Sequence, residues 1–164
     1  SKLCRNLIMT WDELREVAAE PLASFGAHTS GHYALAKLPL ERARAEMVQS
    51  RQRIEDELGR PCRHFCYPYG DEASAGSREF DLARDLGFAT AVTMQKSLIE
   101  PRHAAMPTAL PRCSLNGDYQ DQRYVRALLS GMPFLIWHLS QVLSGGGRVR
   151  LPAPPAMATG RGAA

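Results

Sequence analysis

The sequence has 164 residues, 45% hydrophobic and 23% charged, and its 20 basic and 17 acidic side chains leave a formal net charge of +3. That is enough chain for one domain with a sizeable core. No uninterrupted apolar stretch is long enough to span a bilayer, and the arginines are spread along the chain, so nothing indicates a membrane span or a nucleic-acid partner.

The chain opens with SKLCRNLIMTW, without an initiator Met or a signal peptide, a start compatible with a processed protein or a fragment. Thr10-Trp11-Asp12-Glu13 has the form of a capping box. Trp11, Leu14, Val17 and Ala18 then recur at helical spacing until Pro21. Residues 22–27 predict a short strand that delivers His28 at its C-terminal end. Pro39 stands where a helix would start; Leu40, Ala43, Met47, Ile54 and Leu58 mark one face of it, and Gly59 ends it. Residues 63–67 predict a second strand, closed by the turn signal Pro68-Tyr69-Gly70-Asp71. Ser77 can cap a third helix with Phe80, Ala83 and Leu86 inward, stopped by Gly87, and residues 88–94 predict a third strand. Helix–strand alternation with short connections argues for parallel strands covered by helices, in an open α/β sheet or a (β/α) barrel.

Residues 95–118 read as a loop with one short strand near 110–115. Residues 119–130 and 134–144 read as two helices separated by Gly131 and Pro133. From residue 145 onward the Gly, Pro and Ala content leaves little to bury, so a disordered tail is expected over 145–164, after a domain over 1–144.

Four cysteines, Cys4, Cys62, Cys66 and Cys113, are too few for a disulfide scaffold. Cys62, His64 and Cys66 would share one face of the second strand, but the spacing is not that of a usual zinc motif and no second Cys/His pair follows. Small buried or half-buried thiols are the plainer expectation.

Two segments carry chemistry. In His28-Thr29-Ser30-Gly31-His32 the two histidines are spaced to face one metal ion, in a tight turn at a strand end, where α/β enzymes place ligands. Two polar loop histidines are the alternative. In Arg63-His64-Phe65-Cys66-Tyr67-Pro68-Tyr69-Gly70 a strand ends in a turn with two aromatic rings, which suit sugar faces, and with N–H groups that suit a developing oxyanion. Here the alternative is a rigid turn packed by two tyrosines.

In this order and at strand ends, the two segments resemble the polysaccharide deacetylase (NodB-homology) family, carbohydrate esterase family 4. The likeness covers roughly residues 8–115 and extends to the MTWDEL helix, the long Arg/Glu helix and the LGFATAVT strand. It implies a distorted (β/α) barrel that hydrolyses acetyl groups from sugars, most often from N-acetylglucosamine polymers. It also implies His28 and His32 as ligands of a divalent metal, Zn²⁺ first, and Thr29 as the residue that fixes the loop between them. Tyr67, Pro68, Tyr69 and Gly70 would form a groove wall, with the Tyr69 N–H as oxyanion donor.

The family's first motif, an Asp-Asp segment that supplies the catalytic base and a third ligand, has no counterpart: no two aspartates are adjacent anywhere in the sequence. Asp12 sits at a helix start, and Asp71 reads as a turn residue that could approach the cleft. Cys66 stands where many members carry Arg. For the leaving-group histidine only His103 and His138 are available, in a loop and a predicted helix. The expectation is therefore a partial barrel, completed by a missing N-terminal segment or a partner chain, or else an inactive truncated domain that binds a glycan or a partner.

Overall fold

A computed structural model describes residues 7–115 and 121–143. Its elements run in the expected alternation. Helix α1 (Trp11–Ala18) leads to strand β1 (Gly26–Ala27), α2 (Leu40–Leu58) to β2 (His64–Cys66), and α3 (Ser77–Asp85) to β3 (Thr90–Lys96). Strand β4 (Leu110–Arg112) and helices α4 (Gln122–Leu129) and α5 (Met132–Leu143) follow. The four strands form one sheet in the order β1-β2-β3-β4, every pair parallel, with Ala27 opposite Phe65 and Phe65 opposite Ala91. β1 and β4 are the sheet's edges, so among the described residues the sheet does not close.

Local chemistry accounts for most boundaries. Thr10 and Glu13 form the capping box of α1: the Glu13 carboxylate accepts from the Thr10 N–H, and Thr10 Oγ1 accepts from the Glu13 N–H. The Thr10 donors hold the Glu13 carboxyl below its ordinary pKa. Gly59 ends α2 in the left-handed conformation, φ 62°. Pro111, which cannot donate to a ladder, lies in the edge strand β4, where that loss is tolerated.

Five details differ from the sequence reading. The first strand shrinks from 22–27 to Gly26–Ala27, because a turn continues past Glu20 and leaves Leu22 98% exposed. The cap of α3 is Gly76 rather than Ser77; the Glu79 carboxylate reaches back to the Gly76 N–H at 2.9 Å. β3 begins at Thr90 because the Phe88 N–H still bonds the Ala83 carbonyl, and ladder pairing starts with the Ala89 N–H on the Arg63 carbonyl. Leu40, expected inward on α2, is exposed, while Glu46 is buried. Pro133 lies in the first turn of α5, where a missing N–H costs nothing, so Ser130 and Gly131, not Pro133, separate α4 from α5. The expected tail over 145–164 lies outside the described residues.

The core sits between the sheet and α2 and α3. Ala27, Phe65, Tyr67 and Ala91 from β1–β3 and the chain just beyond pack with Ala43, Met47, Phe80, Leu82 and Ala83. Phe65, Tyr67, Phe80 and Phe88 make a chain of tilted and edge-on ring contacts at 5.2–5.3 Å, each worth about 0.5–1.5 kcal/mol beyond burial. Arg15 on α1 pairs with Glu57 on α2, and Arg53 lies over the Trp11 ring, which fixes α1 on the outside of α2. No described helix is long and apolar enough to cross a membrane.

Candidate active site

Both chemistry-bearing segments emerge where β1 and β2 end, at the carboxyl edge of the sheet. β1 runs directly into His28, and the loop to His32 turns back on itself with Thr29 at φ 64° and His32 at φ 55°. Left-handed backbone in residues with a Cβ is uncommon and must be held by its surroundings. Three hydrogen bonds do so. Thr29 Oγ1 accepts from the His32 N–H at 2.9 Å, and Glu46 Oε2 accepts from the Ser30 and Gly31 N–H groups at 3.1 and 2.7 Å. At Gly31 a Cβ would lie 2.2 Å from the Tyr33 ring, an exposed side chain that would have to swing aside.

This loop brings the two histidines together. Their ring centroids are 4.9 Å apart and steeply inclined, and both side chains face solvent. His28 Nδ1 lies 2.7 Å from the Cys66 carbonyl oxygen. A carbonyl only accepts, so Nδ1 carries the proton and the Nε2 lone pair is left available. That is how metal-binding imidazoles are usually oriented.

The β2 end supplies the adjoining wall. The Tyr69 ring stands 5.0 Å from His32, centroid to centroid, and is 57% exposed. Its backbone has φ 63°, at the centre of a three-residue turn closed by the Gly70 N–H on the Pro68 carbonyl at 2.7 Å. Such turns are rare and strained. No hydrogen bond among the described residues engages the Tyr69 N–H. Gly70, at φ 59°, is required by space as well: a Cβ would come 2.6 Å from Met94 N, whose N–H bonds the Gly70 carbonyl at 2.8 Å.

Tyr67 corrects the expectation of two exposed rings. It is 1% exposed, its ring packs on Phe65 and Phe80, and its hydroxyl donates to the Thr108 carbonyl at 2.8 Å. Strand alternation explains this: Phe65 and Tyr67 share the face turned to the core. Burial, with Glu79 and Asp81 nearby, pushes the Tyr67 phenol far above its ordinary pKa. Pro68 is also buried, so of the four predicted groove residues only Tyr69 presents its side chain.

The other candidates lie elsewhere or do other work. Asp12 pairs with Arg15. Asp71 is exposed and its backbone carbonyl, not its carboxylate, closes the turn to Ser74 and Ala75. His103 Nδ1 accepts from the Glu100 N–H within its own turn, and His138 belongs to α5. Cys62 and Cys66 are free thiols, buried and half-buried, whose pKa values burial raises. His64 turns away to Thr90 Oγ1 at 2.8 Å. Among the described residues no three His, Cys, Asp or Glu side chains form a metal-binding group. The imidazole pair thus fits a divalent metal as two ligands, short of the three protein ligands that catalytic zinc usually has.

A family model for polysaccharide deacetylases matches residues 3–91. The chain belongs to the polysaccharide deacetylase family. A comparison with curated proteins gives no match. Among solved structures, the deacetylase PplD of Streptococcus pyogenes, in complex with acetate, superposes with a TM-score of 0.65 at 18% identity, covering 73% of this chain and 50% of that one. IcaB from Ammonifex degensii gives 0.58 at 23% identity, covering 73% and 53%. A polysaccharide deacetylase from Bacillus cereus gives 0.61 at 17%, covering 73% and 36%. At such identities the likeness carries the fold, and it matches the expected α/β deacetylase architecture with an unclosed sheet. The chain spans about half the length, or less, of these structures.

Glu46 is the site residue that sequence reading missed. A charged residue on a long helix reads as solvated, yet three residues beyond Ala43 and next to Met47 it falls on the buried face.

Proposed function

We propose that the chain carries the two-histidine and groove portion of a metal-dependent deacetylase that removes acetyl groups from N-acetylated oligo- or polysaccharides by amide hydrolysis. The supporting observation is the His28–His32 pair, its His28 Nδ1 committed to the Cys66 carbonyl, directly beside the Tyr69 ring and N–H. His28 and His32 would hold the metal, Zn²⁺ by ligand type. When bound, such an ion supplies Lewis-acid polarisation of the acetyl carbonyl and acidifies water. The chain's own residues do the rest: the Tyr69 ring offers a face for a sugar, and its N–H is free to donate a hydrogen bond to a developing oxyanion.

The proton acceptor and a third ligand have no candidate in the described site, and the sequence has no adjacent aspartates. In this reading they come from a segment or partner chain that adds at the open edge of β1, beside His28. The absent aspartates equally favour a second reading, a non-catalytic domain that keeps the groove and binds glycan or partner.

Calorimetric titration with Zn²⁺ tests the ligands: His28→Ala/His32→Ala should abolish binding, and unchanged affinity would sink the assignment. Acetate release from chitooligosaccharides separates the two readings. Metal-dependent turnover once the completing segment or partner is supplied supports the hydrolase, whereas glycan binding without turnover under the same conditions supports the second.

A further inference from the structure

Glu46 lies on the inward face of α2 with its side chain 2% exposed. A carboxylate withdrawn from water is costly unless its oxygens are satisfied. Here both are: Oε2 takes the Ser30 and Gly31 N–H groups, and Oε1 pairs with Arg42 Nη2 at 3.0 Å. With Thr29 Oγ1 on the His32 N–H, three consecutive amides between the two imidazoles are each fixed. The loop they fix holds two residues in left-handed backbone. Glu46 joins no three-residue ligand group with the histidines, so its role is distinct from that of a missing ligand.

We propose that Glu46 is a positioning residue for the metal site, a buried anionic clamp beneath the loop that sets the separation and tilt of His28 and His32. The proposal rests on reading those histidines as metal ligands. Its mechanism is local. The clamp fixes the loop backbone, the backbone fixes the placement of His28 against the Cys66 carbonyl, and that contact leaves Nε2 open.

Glu46→Gln keeps the volume but puts an amide N–H₂ where either the loop N–H groups or Arg42 requires an acceptor. In the full chain, far-UV circular dichroism should be unchanged. Zn²⁺ affinity by calorimetry should fall about 10- to 100-fold, the range for loss of an outer partner of a metal ligand. Long-range ¹H–¹⁵N spectra of the metal-free protein should show His28 as the Nδ1–H tautomer in wild type and as a mixture in the variant. A folded variant with Zn²⁺ affinity within about twofold and unchanged imidazole spectra overturns the proposal. Should the variant not fold, amide exchange in wild type decides: slow exchange at Ser30 and Gly31 supports the clamp, and unprotected exchange overturns it. Should wild type bind no Zn²⁺, the ligand reading fails, while the tautomer and exchange measurements still judge the clamp.

Discussion

His28 Nδ1 stands 2.7 Å from the backbone carbonyl of Cys66, so the first residue after β1 is tied to the last residue of β2. The bond uses one nitrogen for structure and leaves the other for chemistry. Asn can place a side-chain N–H near the position of Nδ1 but offers nothing near Nε2. His28→Asn is therefore expected to stay within about 0.5 kcal/mol of wild type in urea unfolding. In calorimetry the same variant should lose at least about tenfold in Zn²⁺ affinity, or about 1.4 kcal/mol. A variant that binds Zn²⁺ like wild type would show that His28 Nε2 is not a ligand.

Tyr69 holds positive φ at the centre of a strained turn while its ring faces solvent. Glycine relieves the backbone and removes the ring, so the two effects can be read separately. Tyr69→Gly should change stability little or raise it by up to about 1 kcal/mol. Chitooligosaccharide binding, followed by titration, should weaken. Gains in both would mean that the ring takes no part in the groove.

At Gly70 the expectation reverses. A Cβ would strain φ 59° and meet Met94 N, displacing the bond that joins the turn to β3. Gly70→Ala should cost roughly 2–4 kcal/mol in denaturant unfolding, the range for backbone clash combined with left-handed strain. A cost below about 1 kcal/mol would show that the turn yields easily.

The Tyr67 hydroxyl is buried and donates to the Thr108 carbonyl, and burial raises its pKa above the ordinary 10.0. The protonated phenol is the form the fold holds. Its contribution is therefore complete below about pH 10 and is lost as pH rises beyond that, because the unfolded chain ionises first. Tyr67→Phe should cost about 1–2 kcal/mol near pH 7. In unfolding curves the gap between variant and wild type should narrow by about pH 11; a constant gap would contradict the assignment.

Much of this was readable in advance, for physical reasons. The capping box at Thr10, the stop at Gly59 and the spacing of His28 and His32 are local features, decided within a few residues. What escaped depends on contacts distant in sequence. The period-two alternation that buries Phe65 also buries Tyr67, and it was overridden by the attraction of a Tyr-Pro-Tyr-Gly signature as an exposed aromatic pair. Leu40 is exposed and Glu46 buried because α2 turns the Glu46 side of its surface toward the loop N–H groups of Ser30 and Gly31, partners that lie sixteen and fifteen residues away in sequence.

Cys66 and Tyr69 are three residues apart on one short stretch of backbone, and the stretch is anchored to β3 by the Tyr67 N–H on Val92 and the Gly70 carbonyl on Met94. The atom that orients an imidazole and the ring that walls the groove are consequently one mechanical part. Under the proposed function, a slip of this segment along β3 would therefore disturb ion and sugar binding together. Selection on either property is selection on the same few peptide units.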